Sequence, residues 1–299
     1  MAEVDRPDAS PIPLTLVVPA FNEAGTLPGT MPEFVDFVQT RGWRLIVVND
    51  CSADSTPQIL SEYEDVDGVT VLHHKVRRGY GGAIKTGIGA ADSTYVVTLD
   101  ADGQHRLEDV DAVYQACRDT GADMVVGDRG RHRSSLFREV GKGLIRLITR
   151  VLMPLPINDL NSGMKLYRTD LAKRYIRVCP DTMAFSDVIA LVFLNEHHLV
   201  LEHPIAVKAR QGGVSTISTL TAFETVMAIL NIISLFNPMR IFLPLSLLSL
   251  TAGIIWGVPI VLRGDGVSVG AMLAITTGVL SFALGLIAEQ LSAIRKGRS

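Results

Sequence analysis

The 299-residue chain has three cysteines, Cys51, Cys117 and Cys179, and they are far apart and odd in number. No Cys-x-x-Cys pair exists, so neither a structural zinc site nor a disulfide framework is indicated, and reduced thiols facing the cytoplasm are the simplest reading. Charge of one sign is also missing: the formal net charge is -3 and the isoelectric point about 6.2, which gives no argument for a nucleic-acid partner. The first residues, Met1 to Ser10, are polar and contain Pro7. They lack the apolar segment of a signal peptide and read as a disordered tail over 1–11. There is no Gly-x-Gly-x-x-Gly after the first predicted strand, where the chain instead reads Pro19-Ala20-Phe21-Asn22-Glu23. That excludes a dinucleotide fingerprint. No Gly-Lys-Ser/Thr follows the glycine cluster at 79–82, so a P-loop is excluded too. Ser-His-Asp or Cys-His arrangements are likewise not apparent.

Hydrophobic residues make up 47% of the chain and are unevenly spread. In the first two thirds, short β-branched and apolar runs alternate with helical patterns. Strands are expected at 14–18, 45–48, 69–72, 95–99 and 124–127, with helices between them. This order implies a mostly parallel sheet with helices on both faces. Each predicted strand ends in polar residues or glycine, which places a ligand edge along one side of the sheet.

The chemistry concentrates at Leu99-Asp100-Ala101-Asp102-Gly103-Gln104-His105. Two carboxylates spaced i, i+2 at the end of a buried strand suit a hard divalent cation, Mg²⁺ or Mn²⁺, that also holds phosphate oxygens. Gln104 adds a neutral oxygen, and Gly103 permits the turn. A capped loop is the competing reading, since Asp and Gly are common turn residues. Arg77 and Arg78 precede the glycine cluster and could hold a diphosphate; an exposed basic turn is the alternative. His105 reads either as an outer partner of the cation or as a structural histidine, and Asp187 as a helix-start residue.

The last third differs in kind. Uncharged runs extend over 241–262 and 267–288, each long enough to span a bilayer, and Arg263-Gly264-Asp265-Gly266 separates them. A transmembrane hairpin is predicted. Arg240 before it and Arg295, Lys296 and Arg298 after it place both ends in the cytoplasm, and with them the whole of 1–240. An apolar stripe (Leu220, Phe223, Val226, Met227, Leu230, Ile233) reads as an amphipathic juxtamembrane helix over 217–240. Lys142, Arg146 and Arg150 line one face of a second amphipathic segment suited to an anionic membrane surface.

Taken in order, these motifs resemble family 2 glycosyltransferases of the GT-A fold. Val17-Val18-Pro19-Ala20-Phe21-Asn22-Glu23 resembles the opening signature, and Asn49-Asp50-Cys51-Ser52-Ala53-Asp54-Ser55-Thr56 the Asp-Asp-Gly-Ser-x-Asp-x-Thr element. Gly79-Tyr80-Gly81-Gly82-Ala83, Asp100–His105, Gly127-Asp128-Arg129, Asp159–Met164 and Arg210–Ser215 follow, covering about 14–216. The hairpin narrows the resemblance to polyprenyl-phosphate glycosyltransferases, similar to dolichyl-phosphate mannose or glucose synthases. The resemblance implies a catalytic domain over 12–216 and a membrane hairpin with a basic tail over 241–299.

It further implies metal-dependent, inverting transfer of one sugar from a nucleotide donor, UDP-glucose favoured over another UDP-sugar or GDP-mannose, onto polyprenyl phosphate at the cytoplasmic membrane face. By the same resemblance, Pro19, Phe21, Glu23, Asp50, Arg78, Gly79 and Ala101 line the nucleotide pocket. Asp100, Asp102 and Gln104 hold the metal. Arg129, Ser162, Lys165 and Arg210 face the acceptor phosphate, and Asp100, Asp102, Arg129 and Arg210 form the catalytic set. The sequence departs from the pattern at Asn49 (usually Asp), Cys51 (usually Gly), Arg77 (commonly Asn), Asp128 (usually Ser) and Lys165 (commonly Arg). A lysine cannot form the two-pronged contact that arginine makes with phosphate. A processive polysaccharide synthase is the first rival, but neither Arg nor Trp follows Gln211 at the required spacing. A catalytically silent membrane-anchored partner subunit is the second. A lone hairpin is a small anchor, which self-association into a homo-oligomer would enlarge.

Overall fold

The structure is a computed structural model that describes residues 12–130, 157, 159–160, 162–206 and 238–296. The described residues up to 206 fall in one compact unit and those from 238 onward in another.

The first unit is built on a seven-stranded sheet, β1 (Leu14–Ala20), β2 (Arg44–Asn49), β3 (Val69–His73), β4 (Tyr95–Thr98), β5 (Met124–Asp128), β6 (Lys165–Arg168) and β7 (Val200–Pro204). Its order is β3-β2-β1-β4-β6-β5-β7. Alternation of side chains along β1 explains how both faces are filled. Leu14, Leu16, Val18 and Ala20 enter the core shared with α1 (Leu27–Gln39) and α4 (Leu107–Thr120). Val17 points the other way, toward α3 (Tyr80–Ala90), whose Gly87 lies so close that an added Cβ would strike the valine methyl. Trp43 anchors the first face, meeting Phe37 and Tyr114 edge-on at centroid distances of 5.7 and 5.2 Å.

The sheet is mixed rather than simply parallel. β1, β2, β3 and β4 pair in parallel, as do β5 and β7, whereas β6 runs antiparallel to both β4 and β5. Five strands fall where the sequence predicts them; β6 and β7 are additional. The reversal of β6 matters for the site. Thr98 on β4 pairs with Lys165 on β6, so the start of β6 meets the end of β4, and the segment leading into Lys165 lands on the ligand edge. Two helices complete this unit, α5 (Thr169–Tyr175) and α6 (Phe185–Asn195), with the short α2 (Thr56–Ser61) after β2.

The second unit is a helical hairpin, α7 (Met239–Leu262) and α8 (Val269–Lys296), both long and apolar enough to cross a membrane and mostly exposed along their lengths. α8 runs past the predicted 267–288 span because its polar end, from Glu289 onward, continues the helix. α7 closes with a glycine-ended cap: Gly264, at φ +79, donates from its amide to Val261 O at 3.0 Å, and the Asp265 amide donates to Ile260 O at 3.2 Å. The helices approach through small residues. Ser246 Oγ donates to Gly278 O at 2.8 Å, and a Cβ at Gly253 would meet Ile275. Residues 142–150 and 217–237, where the two amphipathic segments are expected, and Arg210 lie outside the described residues.

Candidate active site

The carboxyl ends of β1, β2, β4 and β5 and the start of β6 converge on one edge, and every described sequence-predicted site residue lies on or next to that edge. The exit from β1 is stitched to the exit from β2. The Asn22 amide donates to Ser52 Oγ at 3.0 Å, the Glu23 amide to Thr56 Oγ1 at 2.9 Å and the Ala24 amide to Asp54 Oδ2 at 3.1 Å. In return the Ala53 amide donates to Asn22 Oδ1 at 2.9 Å. The Ser-x-Asp-x-Thr spacing therefore holds the Phe21–Ala24 turn. Phe21 carries the Arg77 guanidinium over its ring at 4.0 Å, a cation–π contact that uses the arginine found where asparagine is common.

Asp50 is buried, and both its oxygens are engaged. Oδ1 meets His74 Nδ1 at 2.7 Å and accepts the Arg78 amide at 2.8 Å, while Oδ2 accepts the Gly79 amide at 2.7 Å. Burial pushes this carboxyl up, but the His74 contact and the two amides outweigh it, and the pKa is lowered. The Asp50 side chain, expected in the nucleotide pocket, also has an anchoring role. Arg78 and Gly79 reach the edge because Asp50 holds their backbone there.

The glycine cluster has a packing cause. Gly79 stands at φ +90, where a side chain is strained, and opens α3. An added Cβ on Gly81 would run into the Pro180 carbonyl and Phe185, and one on Gly82 into Arg78. The Gly82 amide donates to Asp181 O at 3.2 Å, and Lys85 pairs with Asp181 at 2.7 Å. These glycines let α3 seat against the segment before α6. Ala101 is buried, so only its backbone can border a ligand.

Asp100 is enclosed from several directions. The Tyr80 hydroxyl donates to its Oδ1 at 3.0 Å, and His105 Nε2 stands 3.7 Å from Oδ2. Gly163 backs the carboxylate so closely that an added Cβ would overlap it. Burial raises the Asp100 pKa, but His105, Tyr80 and the Arg129 charge more than offset it, and the group is held ionised. Asp102 accepts the Gln104 backbone amide on Oδ1 at 3.1 Å and the Gln104 side-chain amide on Oδ2 at 2.6 Å. His105 is buried, with Nδ1 unpartnered. No group of three or more His, Cys, Asp or Glu able to hold a metal occurs among the described residues. A pair of carboxylates with an amide oxygen fits a hard cation that draws its remaining ligands from diphosphate oxygens and water.

Arg129, at the end of β5, forms a two-pronged pair with Asp159: Nε to Oδ2 at 2.7 Å and Nη2 to Oδ1 at 2.8 Å. Asp159 is itself fixed by its amide to Glu202 Oε1 at 2.9 Å. The Asp159 hydrogen bond raises the Arg129 pKa further, and its guanidinium lies near enough to Asp100 for their charges to interact.

Ser162 and Lys165 are fully buried. Lys165 Nζ donates to Ser162 O at 2.6 Å and to Ser186 Oγ, and Ser186 Oγ donates to Ser162 O at 2.9 Å. Thr98 Oγ1 fixes Gly163 O at 3.0 Å. Both side chains, expected at the acceptor phosphate, turn inward here and support the loop that carries Gly163. Burial lowers the Lys165 pKa to about 8, against the pull of Asp187 and Asp159. Asp187 lies in the first turn of α6, and burial raises its pKa. Tyr80, His74 and Asp159 were not singled out by the sequence. The bulk of Tyr80 amid glycines was the one available signal.

A mixed sheet with a carboxylate pair and a glycine-opened helix along one edge, followed in the chain by an apolar hairpin, is an α/β architecture of the GT-A type. The chain belongs to glycosyl transferase family 2, whose profile matches residues 15–176, and the GtrB C-terminal hairpin profile matches residues 237–294. It is similar to the undecaprenyl-phosphate 4-deoxy-4-formamido-L-arabinose transferase of Proteus mirabilis, with 27% identity over 94% of this chain and 89% of that one. It is also similar to the dolichyl-phosphate beta-glucosyltransferase ALG5A of Trichomonas vaginalis, with 27% identity over 64% of this chain and 58% of that one. Among solved structures, glucosyl-3-phosphoglycerate synthase from Mycobacterium tuberculosis, in complex with Mn²⁺, UDP and glucosyl-3-phosphoglycerate, shares the fold at a TM-score of 0.57 and 16% identity, over 75% of this chain and 81% of that one.

Proposed function

We propose that this enzyme transfers a single sugar from a nucleotide-sugar donor to a polyprenyl phosphate at the cytoplasmic face of the membrane. The observation that carries this reading is the union in one chain of a family 2 catalytic domain with the GtrB-type hairpin. A polyprenyl tail stays in the bilayer, so an enzyme using it must be held there. The names of the two relatives support a polyprenyl or dolichyl phosphate acceptor. The glucosyltransferase name and the UDP-bound fold neighbour support UDP-glucose as the donor. Arg240 at one end of the hairpin and Arg295 and Lys296 at the other support a cytoplasmic catalytic domain.

Asp100 and Asp102, with Gln104, would hold a divalent cation, and the cation would supply charge neutralisation on the leaving diphosphate. Phe21 with Arg77 would border the base. Arg129, oriented by Asp159, would face the acceptor phosphate and offset its repulsion from the donor diphosphate. An oxygen of the acceptor phosphate attacks the anomeric carbon, the bond from that carbon to the diphosphate breaks, and the configuration inverts. The attacking oxygen is already anionic near neutral pH, so no side chain needs to remove a proton. The remaining task is to align two anions.

The test uses the full-length protein in detergent with undecaprenyl phosphate, Mg²⁺ or Mn²⁺, and a panel of labelled nucleotide sugars. One lipid-linked sugar on a thin-layer plate is expected, with loss of transfer in Asp102→Asn and after chelation. A polymeric product, or turnover that survives a chelator, would overturn the reading.

A further inference from the structure

We propose that Tyr80 is a positioning residue for the cation site, fixing the orientation in which Asp100 presents its carboxylate. The inference rests on the metal reading above and adds a residue to it. Tyr80 is the only bulky side chain in the run Gly79–Ala83. It stands at the first position of α3, directly after a glycine at φ +90. Its mounting is rigid, because the Gly79 amide is tied to Asp50, the Gly82 amide to Asp181 O, and Lys85 to the Asp181 carboxylate. The close packing of Gly81 against Pro180 and Phe185 leaves the start of the helix no room to shift.

From this mount the phenol donates to Asp100 Oδ1 at 3.0 Å. The Gly163 backbone limits the carboxylate nearest Oδ2, the oxygen that also faces His105. A carboxylate at the end of a strand can otherwise turn about its Cβ–Cγ bond, which is a broad torsion. One fixed oxygen removes that freedom. The donor is also neutral. A lysine or arginine in its place would hold the carboxylate equally well but would place a positive charge next to the incoming cation. A hydroxyl orients the ligand without competing for it, and Oδ1 keeps a second lone pair. The contact joins the glycine-rich motif to the carboxylate motif, which are separate in sequence.

The experiment compares wild type with Tyr80→Phe, both full-length in detergent, and reads Mn²⁺ binding in the presence of UDP by the electron spin resonance of free Mn²⁺. A metal-activation curve for sugar transfer is recorded alongside, and thermal melting checks that the variant is folded. Loss of one hydrogen bond to a charged acceptor is expected to weaken Mn²⁺ binding about tenfold. The half-activating metal concentration should move by the same factor, while kcat at saturating metal stays within about twofold of wild type. Unchanged Mn²⁺ affinity in Tyr80→Phe overturns the inference and leaves the proposed function standing, as does a fall in kcat with metal affinity intact. Wild-type protein that binds no Mn²⁺ removes both. Weakened Mn²⁺ binding in the variant, with no transfer to undecaprenyl phosphate by wild type, upholds Tyr80 and overturns the acceptor.

Discussion

Gly163 presses against the carboxylate of Asp100, and the space a methyl group would need at residue 163 is the space the carboxylate occupies. The glycine is held there from beneath, through Thr98 on its own carbonyl and through Lys165 and Ser186 on that of Ser162. Gly163→Ala is therefore expected to displace Asp100 rather than the loop. Transfer should fall at least about tenfold, as when an interaction with a charged group is lost, and the requirement for metal should rise. Titrating activity against Mg²⁺ checks this; an unchanged metal requirement would show that the loop moves instead.

Arg129 and Asp159 form a planar, two-pronged pair that sets the guanidinium at the ligand edge. Lysine keeps the charge but not the fork. Arg129→Lys is expected to raise KM for the lipid phosphate about tenfold and leave KM for the nucleotide sugar nearly unchanged. Asp159→Asn should act in the same direction by releasing the arginine. A rise confined to the nucleotide-sugar KM would reassign Arg129 to the donor.

Lys165 gives a pH signature. Its folded-state pKa, pushed down to about 8 by burial, lies below the unfolded value of about 10.4. The unfolded chain then holds more protons between those values, so stability gains with rising pH across that window and the gain is complete above it. Replacing Lys165 with Met, similar in length but without charge, removes this contribution. Melting temperature measured at about pH 7.5 and about pH 9.5 is expected to rise more, or fall less, for wild type than for Lys165→Met. Parallel pH responses would count against a buried, charge-costly lysine.

The sheet was legible where the sequence was most apolar. β1, β2 and β4 are buried nearly throughout and announce themselves as β-branched runs, and the polar residues after them mark the ligand edge. β6 was not legible, because Lys165-Leu166-Tyr167-Arg168 is short and bounded by charges. Nothing in so brief a pattern says that its lysine is interior or that the strand is reversed. β7 carries Glu202 and His203 at the edge of the sheet and lacks an apolar run for the same reason. Asp100 and Asp102 could be found because neighbours in sequence are neighbours in space. The Tyr80–Asp100 and Arg129–Asp159 contacts join different elements, and only the topology brings them together. Ser162 and Lys165 are placed at the acceptor by resemblance alone; their burial was not legible in the sequence, because it depends on the packing of β6 against α6.

The reversal of β6 also bears on how the site assembles. Parallel strands bring their ends to one rim, each after a helix, but Gly163 reaches that rim from the opposite direction, at the start of β6, which lies between β4 and β5. The wall behind Asp100 thus comes from a segment some sixty residues further along the chain, and a chain cut before it would own both aspartates without Gly163 behind them.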